Sequence, residues 1–127
     1  MFSLNSTNNY YLYHQATDMR KSFEGLSGII QSTMKHNPLS GDVYLFINKQ
    51  KDRIKLLRWE YGGFVLYYKR LEQGSLSAPK RVQNGTSEKI SWPELVLMIE
   101  GIVVEKYRQK PRFSTLSERQ NNLQKSL

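Results

Sequence analysis

Apolar spacing changes along the chain, and each change predicts an element. Residues 9–14 (NYYLYH) are dense in Tyr and Leu and predict a short strand. Gln15-Ala16-Thr17 leads to Asp18, a side chain suited to capping a helix. Met19, Phe23, Leu26, Ile30 and Met34 then recur at spacings of three and four, which is one face of a helix. Arg20, Lys21, Glu24, Ser27 and Lys35 fall largely off that face, so the pattern predicts a helix over 19–35. Asn37-Pro38 and Ser40-Gly41 end it in a turn.

The period then shortens to two. Residues 42–48 alternate Val43, Leu45 and Ile47 against Tyr44 and Phe46. Residues 53–60 put Ile54, Leu56 and Arg58 on one side and Lys55, Leu57 and Trp59 on the other, and 64–71 complete the set. The joins, Lys49–Asp52 and Tyr61-Gly62-Gly63, are short, which forces antiparallel neighbours, with Gly62 and Gly63 supplying the positive φ of a tight turn. Residues 72–90 are polar and carry Gly, Pro and Asn, so they read as a loop, flexible over 75–90. Ser91-Trp92-Pro93-Glu94 has a capping residue with Glu three places on, a capping box, and a helix continues through Leu95, Val96, Met98, Ile99 and Ile102. The expectation is one α+β domain over 1–104: a small antiparallel meander of three or four strands, a long helix across one face, and a second, C-terminal helix at an edge or beside the first. Residues 105–127 are polar and poor in apolar side chains, the composition of a disordered tail.

Composition narrows the function. The 127 residues are 39% hydrophobic and 24% charged, as in soluble globular proteins, and long enough for one metal-free core. There is no Cys, which removes disulfides, thiolate metal sites and Cys nucleophiles and fits a reducing cytoplasm. No apolar run reaches the ~18 residues of a membrane span, and the first residues lack the basic start and apolar stretch of a signal peptide. A cytoplasmic location follows, at the nucleoid when bound to DNA, with no membrane partner. Lys plus Arg number 19 against 11 acids, a net +8, and the pI of about 9.8 makes a polyanion a reasonable partner.

The basic residues concentrate in the strand hairpin. Lys49, Lys51, Arg53, Lys55 and Arg58 stand within ten positions with Asp52 the single acid, and the neighbouring strand adds Lys69 and Arg70. Tyr44, Trp59, Tyr61, Tyr67 and Tyr68 are interleaved. Basic side chains neutralise phosphates, aromatic faces stack on unpaired bases, and a two-stranded ribbon fits a major groove. The competing reading is a solvated sheet face with aromatics packing across strands. Arg20 and Lys21 at the expected helix start could add phosphate contacts, although Asp18 there repels an anion and favours a plain capped helix. Gly25-Leu26-Ser27-Gly28 matches the GxxG clamp of some RNA-binding domains, but it sits inside the helical pattern, where small residues more simply let a helix approach the sheet.

Catalysis finds little support. His14 and His36 have no ligand-spaced partners, the acids are scattered, and no nucleophile-elbow, Walker or Rossmann pattern occurs. The sequence therefore points to a protein that is not an enzyme and has no cofactor, metal or small-molecule substrate.

Several blocks in order resemble one family. Thr17–Leu26 (TDMRKSFEGL) is similar to the TDMRKGFDGL block of the Orf2-like accessory proteins, the TnpB family, of insertion-sequence family 66. Pro38-Leu39-Ser40-Gly41 matches their turn. Phe46 followed by Asp52–Leu57 (DRIKLL), Gly63 followed by Tyr67–Gly74 (YYKRLEQG), and Met98–Ile102 (MIEGI) resemble their later blocks. The resemblance spans about residues 9–104. Ser22, Glu24 and Arg58 depart from it, as does the 75–90 loop. It implies a non-catalytic accessory of DNA transposition, working beside a larger transposase that carries the catalytic acids. The expected partners are DNA and that transposase, with Arg20, Lys21, Lys49, Lys51, Arg53, Lys55, Arg58, Lys69 and Arg70 touching phosphates. The alternatives are a protein-interaction module that binds the transposase, with DNA affinity incidental, and binding of single strands or RNA through exposed Tyr residues.

Overall fold

Seven elements account for the computed structural model, which describes residues 4–77 and 85–100: β1 (Tyr10–Tyr13), α1 (Phe23–Ser32), β2 (Val43–Ile47), β3 (Arg53–Glu60), β4 (Gly63–Arg70), β5 (Ser87–Ile90) and α2 (Trp92–Glu100). The chain is α+β, as its pattern predicts, and β2, β3 and β4 form the expected antiparallel meander. The two-residue β3–β4 connection has Tyr61 at φ 52° and Gly62 at φ 86°, the two left-handed positions of a hairpin turn whose twist suits its strands. Gly63 belongs to the strand instead.

The sheet is larger and more mixed than a meander. It has five strands in the order β4-β3-β2-β1-β5. β1 runs parallel to β2, with Tyr10 opposite Val43 and Leu12 opposite Leu45. The reason is the connection: two adjacent strands joined through a helix make a crossover, and a crossover returns the chain in the same direction. β5 lies within the segment expected to be a loop, and pairs antiparallel with β1 from Tyr10–Ile90 to Tyr13–Ser87. Its sequence, SEKI, is short and mostly polar, so it has no readable strand period.

The first helix is shorter than 19–35. Asp18 does not cap it. The Asp18 carboxylate accepts the Arg20 N–H at 2.9 Å, and the Lys21 N–H donates to the Asp18 carbonyl at 3.1 Å, closing a separate turn. The carbonyls of Met19 and Lys21, which would begin helical ladders, instead accept from the Lys55 ammonium at 2.7 Å each. At the far end Lys35 takes φ 62°, and the His36 N–H reaches back to the Ile30 carbonyl at 2.9 Å. The second helix starts as predicted: Ser91 N–H donates to the Glu94 carboxylate at 2.9 Å, and the Glu94 N–H to the Ser91 hydroxyl at 3.2 Å.

The helices cover opposite faces of the sheet, rather than lying side by side. On one face, Leu26, Ile30 and Met34 pack on Tyr44, Phe46 and Leu57. On the other, Leu95 and Met98 of α2 pack with Tyr10, Leu12, Val43, Leu45, Ile47, Ile54, Leu56, Leu76 and Ile90. β2 is buried along its whole length as a result. Gly25 and Gly28 are not pressed against the sheet: a side chain at Gly25 would meet the Lys21 stem, and one at Gly28 would meet nothing. Among the described residues no helix is long and apolar enough to cross a membrane. The expected tail at 105–127 and the end of the second helix at Ile102 lie outside the described residues.

Candidate nucleic-acid interface

The strand period places the basic residues of the hairpin on different surfaces. Counting along β3, Arg53 and Lys55 share the α1 face with Leu57, while Arg58 shares the α2 face with Ile54 and Leu56. Across β3–β4, Arg53 stands opposite Arg70, Lys55 opposite Tyr68, and Ile54 opposite Lys69. The five cations on these strands are therefore divided by the pleat, Arg53, Lys55 and Arg70 on one face and Arg58 and Lys69 on the other, while Lys49 and Lys51 lie in the turn between β2 and β3.

Three of them are drawn into the fold. Lys55 is 5% exposed; besides its two carbonyl acceptors its ammonium lies 4.7 Å from the centre of the Tyr68 ring. Lys69 donates to the Ile99 carbonyl at 3.2 Å, satisfying an acceptor near the C-terminus of α2. Arg58, largely covered, makes an ion pair of 3.5 Å with Glu60. Lys55 and Lys69 tie the sheet to the segment before α1 and to α2, Arg58 pairs within β3, and all three charges are engaged inside the protein.

The other six of the nine expected phosphate contacts, Arg20, Lys21, Lys49, Lys51, Arg53 and Arg70, belong to one end of the sheet, where β2 ends, β3 begins and β4 ends. Asn48 builds that end. Its side-chain oxygen accepts the N–H groups of Asp52 at 3.1 Å and Arg53 at 2.9 Å, and its amide donates to the Asp52 carboxylate at 2.6 Å. Lys51, at φ 60°, donates its N–H to the Asn48 carbonyl at 3.1 Å. The chain after β4 is tied to the same turn, with Leu71 N–H on the Asp52 carbonyl at 2.7 Å and Leu76 N–H on the Lys51 carbonyl at 2.6 Å. Thr17 N–H donates to the Ile47 carbonyl at 2.8 Å and brings the 16–20 segment alongside. An open cleft of about 700 Å³ runs between that segment and the turn, lined by Asp18, Arg20, Lys49, Asp52 and Arg53 among others.

The electrostatics at this end are uneven. Arg20 is paired with Asp18 at 2.6 Å, and the guanidinium and backbone N–H of Arg20 hold the Asp18 carboxyl well below the usual carboxylate range. The same pairing raises the Arg20 pKa. Arg70 is paired with Glu72 at 3.1 Å, in an exposed geometry that contributes little to stability. Lys21, Lys49, Lys51 and Arg53 make no ion pair among the described residues. Arg53 and Arg70 face each other directly across two strands, an arrangement that like-charge repulsion disfavours.

Charge pattern alone does not mark Asn48, although Asn at a strand end before a polar turn is the signal for such a scaffold. Phe23 falls on the apolar helical stripe in sequence, yet it is 44% exposed at the start of α1. His14 is bonded to Glu88 and the Gly85 carbonyl, and His36 lies against Tyr11 and Tyr44; among the described residues no three of His, Asp and Glu gather as a metal site.

Comparison with known proteins gives a family match. The family described as IS66 Orf2 like protein matches residues 8–109. The chain is 30% identical over 97 residues to the uncharacterized protein y4jC of Sinorhizobium fredii, covering 76% of this chain and 81% of that one. It is 31% identical over 86 residues to the uncharacterized protein y4hO of the same organism, covering 68% and 73%. No solved structure matches.

Proposed function

This chain belongs to the IS66 Orf2-like family, a family associated with transposition, and from that premise we propose that it is a non-catalytic accessory that binds DNA beside a separate transposase. The observation that carries the reading is the convergence of Arg20, Lys21, Lys49, Lys51, Arg53 and Arg70 at one end of the sheet on a turn held by Asn48. Cations spread over two strands, a turn and the 16–21 segment can neutralise several phosphates of one backbone, whereas a single small anion would engage only a few of them. Lys55, Lys69 and Arg58 are left out of this DNA-binding surface because their charged groups already serve the fold.

A mobility-shift titration with element-end and random duplexes at two salt concentrations tests this. Binding weakens steeply with salt. Replacing Lys49, Arg53 and Arg70 by Ala makes the log–log salt dependence shallower, by about 0.9 for each phosphate that is no longer neutralised. Unchanged affinity and slope in the triple variant would falsify the site.

A second reading, a module that docks on the transposase, draws on β4. It is eight residues long and forms an edge of the sheet, the geometry that accepts an added strand. Pull-down with the transposase after nuclease treatment separates the two: a complex that survives, in a protein without DNA affinity, favours docking.

A further inference from the structure

We propose that Tyr68, with Arg53 and Arg70, forms a stacking platform for an unpaired DNA strand; the inference rests on the DNA-binding reading and names the form of DNA. Three observations meet at this one place. Tyr68 is 49% exposed although it lies on the α1 face of the sheet, the face whose neighbouring positions Leu57 and Leu66 are packed under the helix. Its ring is held by the Lys55 ammonium 4.7 Å from the centroid, and Lys55 is itself fixed by the carbonyls of Met19 and Lys21. The ring is thus braced from within and open to solvent. Beyond it on the same face lie Arg70, two residues along β4, and Arg53, directly opposite Arg70.

The chemistry of that arrangement selects its ligand. A duplex keeps base faces stacked inside itself and offers only edges and backbone to a flat ring. An unpaired nucleotide offers a face to Tyr68 and a phosphate to the facing guanidiniums. The phosphate also offsets the repulsion between the facing Arg53 and Arg70, which the Glu72 carboxylate, paired with Arg70 but 76% exposed, offsets only weakly. Stacking on an aromatic side chain is tolerant of base identity, so the site takes a strand without strong sequence preference.

The test measures affinity of the full chain for a single DNA strand, the matching duplex and the same strand as RNA, by fluorescence anisotropy. The single strand binds more tightly than the duplex at equal salt. Tyr68→Leu lowers the single-strand-to-duplex affinity ratio by about tenfold, Tyr68→Phe restores it, and Tyr61→Leu, at the opposite end of the hairpin, leaves it as it is. A strand carrying 5-iodouracil, irradiated on the unaltered protein, crosslinks to the peptide containing Tyr68, which keeps the test independent of any folding defect in the variants. A ratio unmoved by Tyr68→Leu, or crosslinks only elsewhere, overturns the platform while leaving duplex binding standing. Tighter binding of RNA overturns the assignment to DNA. Absence of binding to any of the three overturns the platform together with the proposed function.

Discussion

The two ends of the β3–β4 hairpin are built on opposite rules. At the turn end, Trp59 stands across from Phe64 with ring centres 5.0 Å apart and planes at 76°, the edge-to-face geometry aromatic pairs prefer. Tyr61 and Gly62 there adopt the two left-handed conformations of a matched hairpin turn. At the open end, Arg53 stands across from Arg70. One end uses its cross-strand pair to hold the ribbon together. The other tolerates a repulsive pair because the Asn48 side chain and the Leu71 N–H bond the backbone of Asp52 and Arg53, so the strands are held without the two arginine side chains. Local stability and local charge are thus supplied by different groups, and Lys55, between the two ends, serves the first although it looks like the second.

Four changes would break or sharpen that contrast. Leu57→Ala, fully buried under α1 and midway along β3, costs about 3 kcal/mol of unfolding free energy by the cavity it leaves, measured by denaturant titration. Lys55→Met keeps the bulk but strips the donors from the Met19 and Lys21 carbonyls, and costs about 2 kcal/mol. If Lys55 were a surface cation like its neighbours, this substitution would leave the unfolding midpoint where it is. Arg53→Leu acts in the other direction: removing one member of the like-charged pair raises stability by about 0.3 kcal/mol, while the salt slope of DNA binding falls by about 0.9. A loss of stability there would mean that the open end is built like the turn end after all.

The smallest effect concerns Asp18. Its carboxyl titrates lower in the folded protein than in the unfolded chain because Arg20 donates to it. A depressed folded value means that the pair's contribution is present above the ordinary aspartate value of about 4 and is lost as pH falls below it. The wild type should therefore show a slight acid-side loss of stability, in thermal melts at low pH, that Asp18→Asn lacks. Equal acid profiles for the two proteins would show that the exposed pair contributes nothing.

Much of the fold is legible along the chain. Period-two alternation locates β2, β3 and β4 to within one residue, and the Ser91–Glu94 spacing marks the start of α2 because a capping box is a local device. Periodicity makes the first helix too long because it cannot report a competitor for the backbone; the competitor, Lys55, lies 36 residues from the Met19 carbonyl it captures. β5 leaves no trace because an edge strand of four mostly polar residues needs only a partner, β1, and not a pattern. The candidate site divides in the same way. The sequence marks nine cations, and alternation alone already separates Arg58 from Lys55; which charges are engaged inside the protein is a matter of long-range bonding.

By itself, then, the amino-acid order determined the meander, the capped second helix, the excess of positive charge and the family blocks from Thr17 to Ile102, because each depends on neighbours a few residues apart. Only the tertiary structure decided that β1 runs parallel to β2, that the helices lie on opposite faces, and that six cations meet at one end while three are consumed. Those outcomes depend on which distant groups the crossover and the sheet bring within hydrogen-bonding reach, and a hydrogen bond between residues 19 and 55 has no signature in the spacing of either.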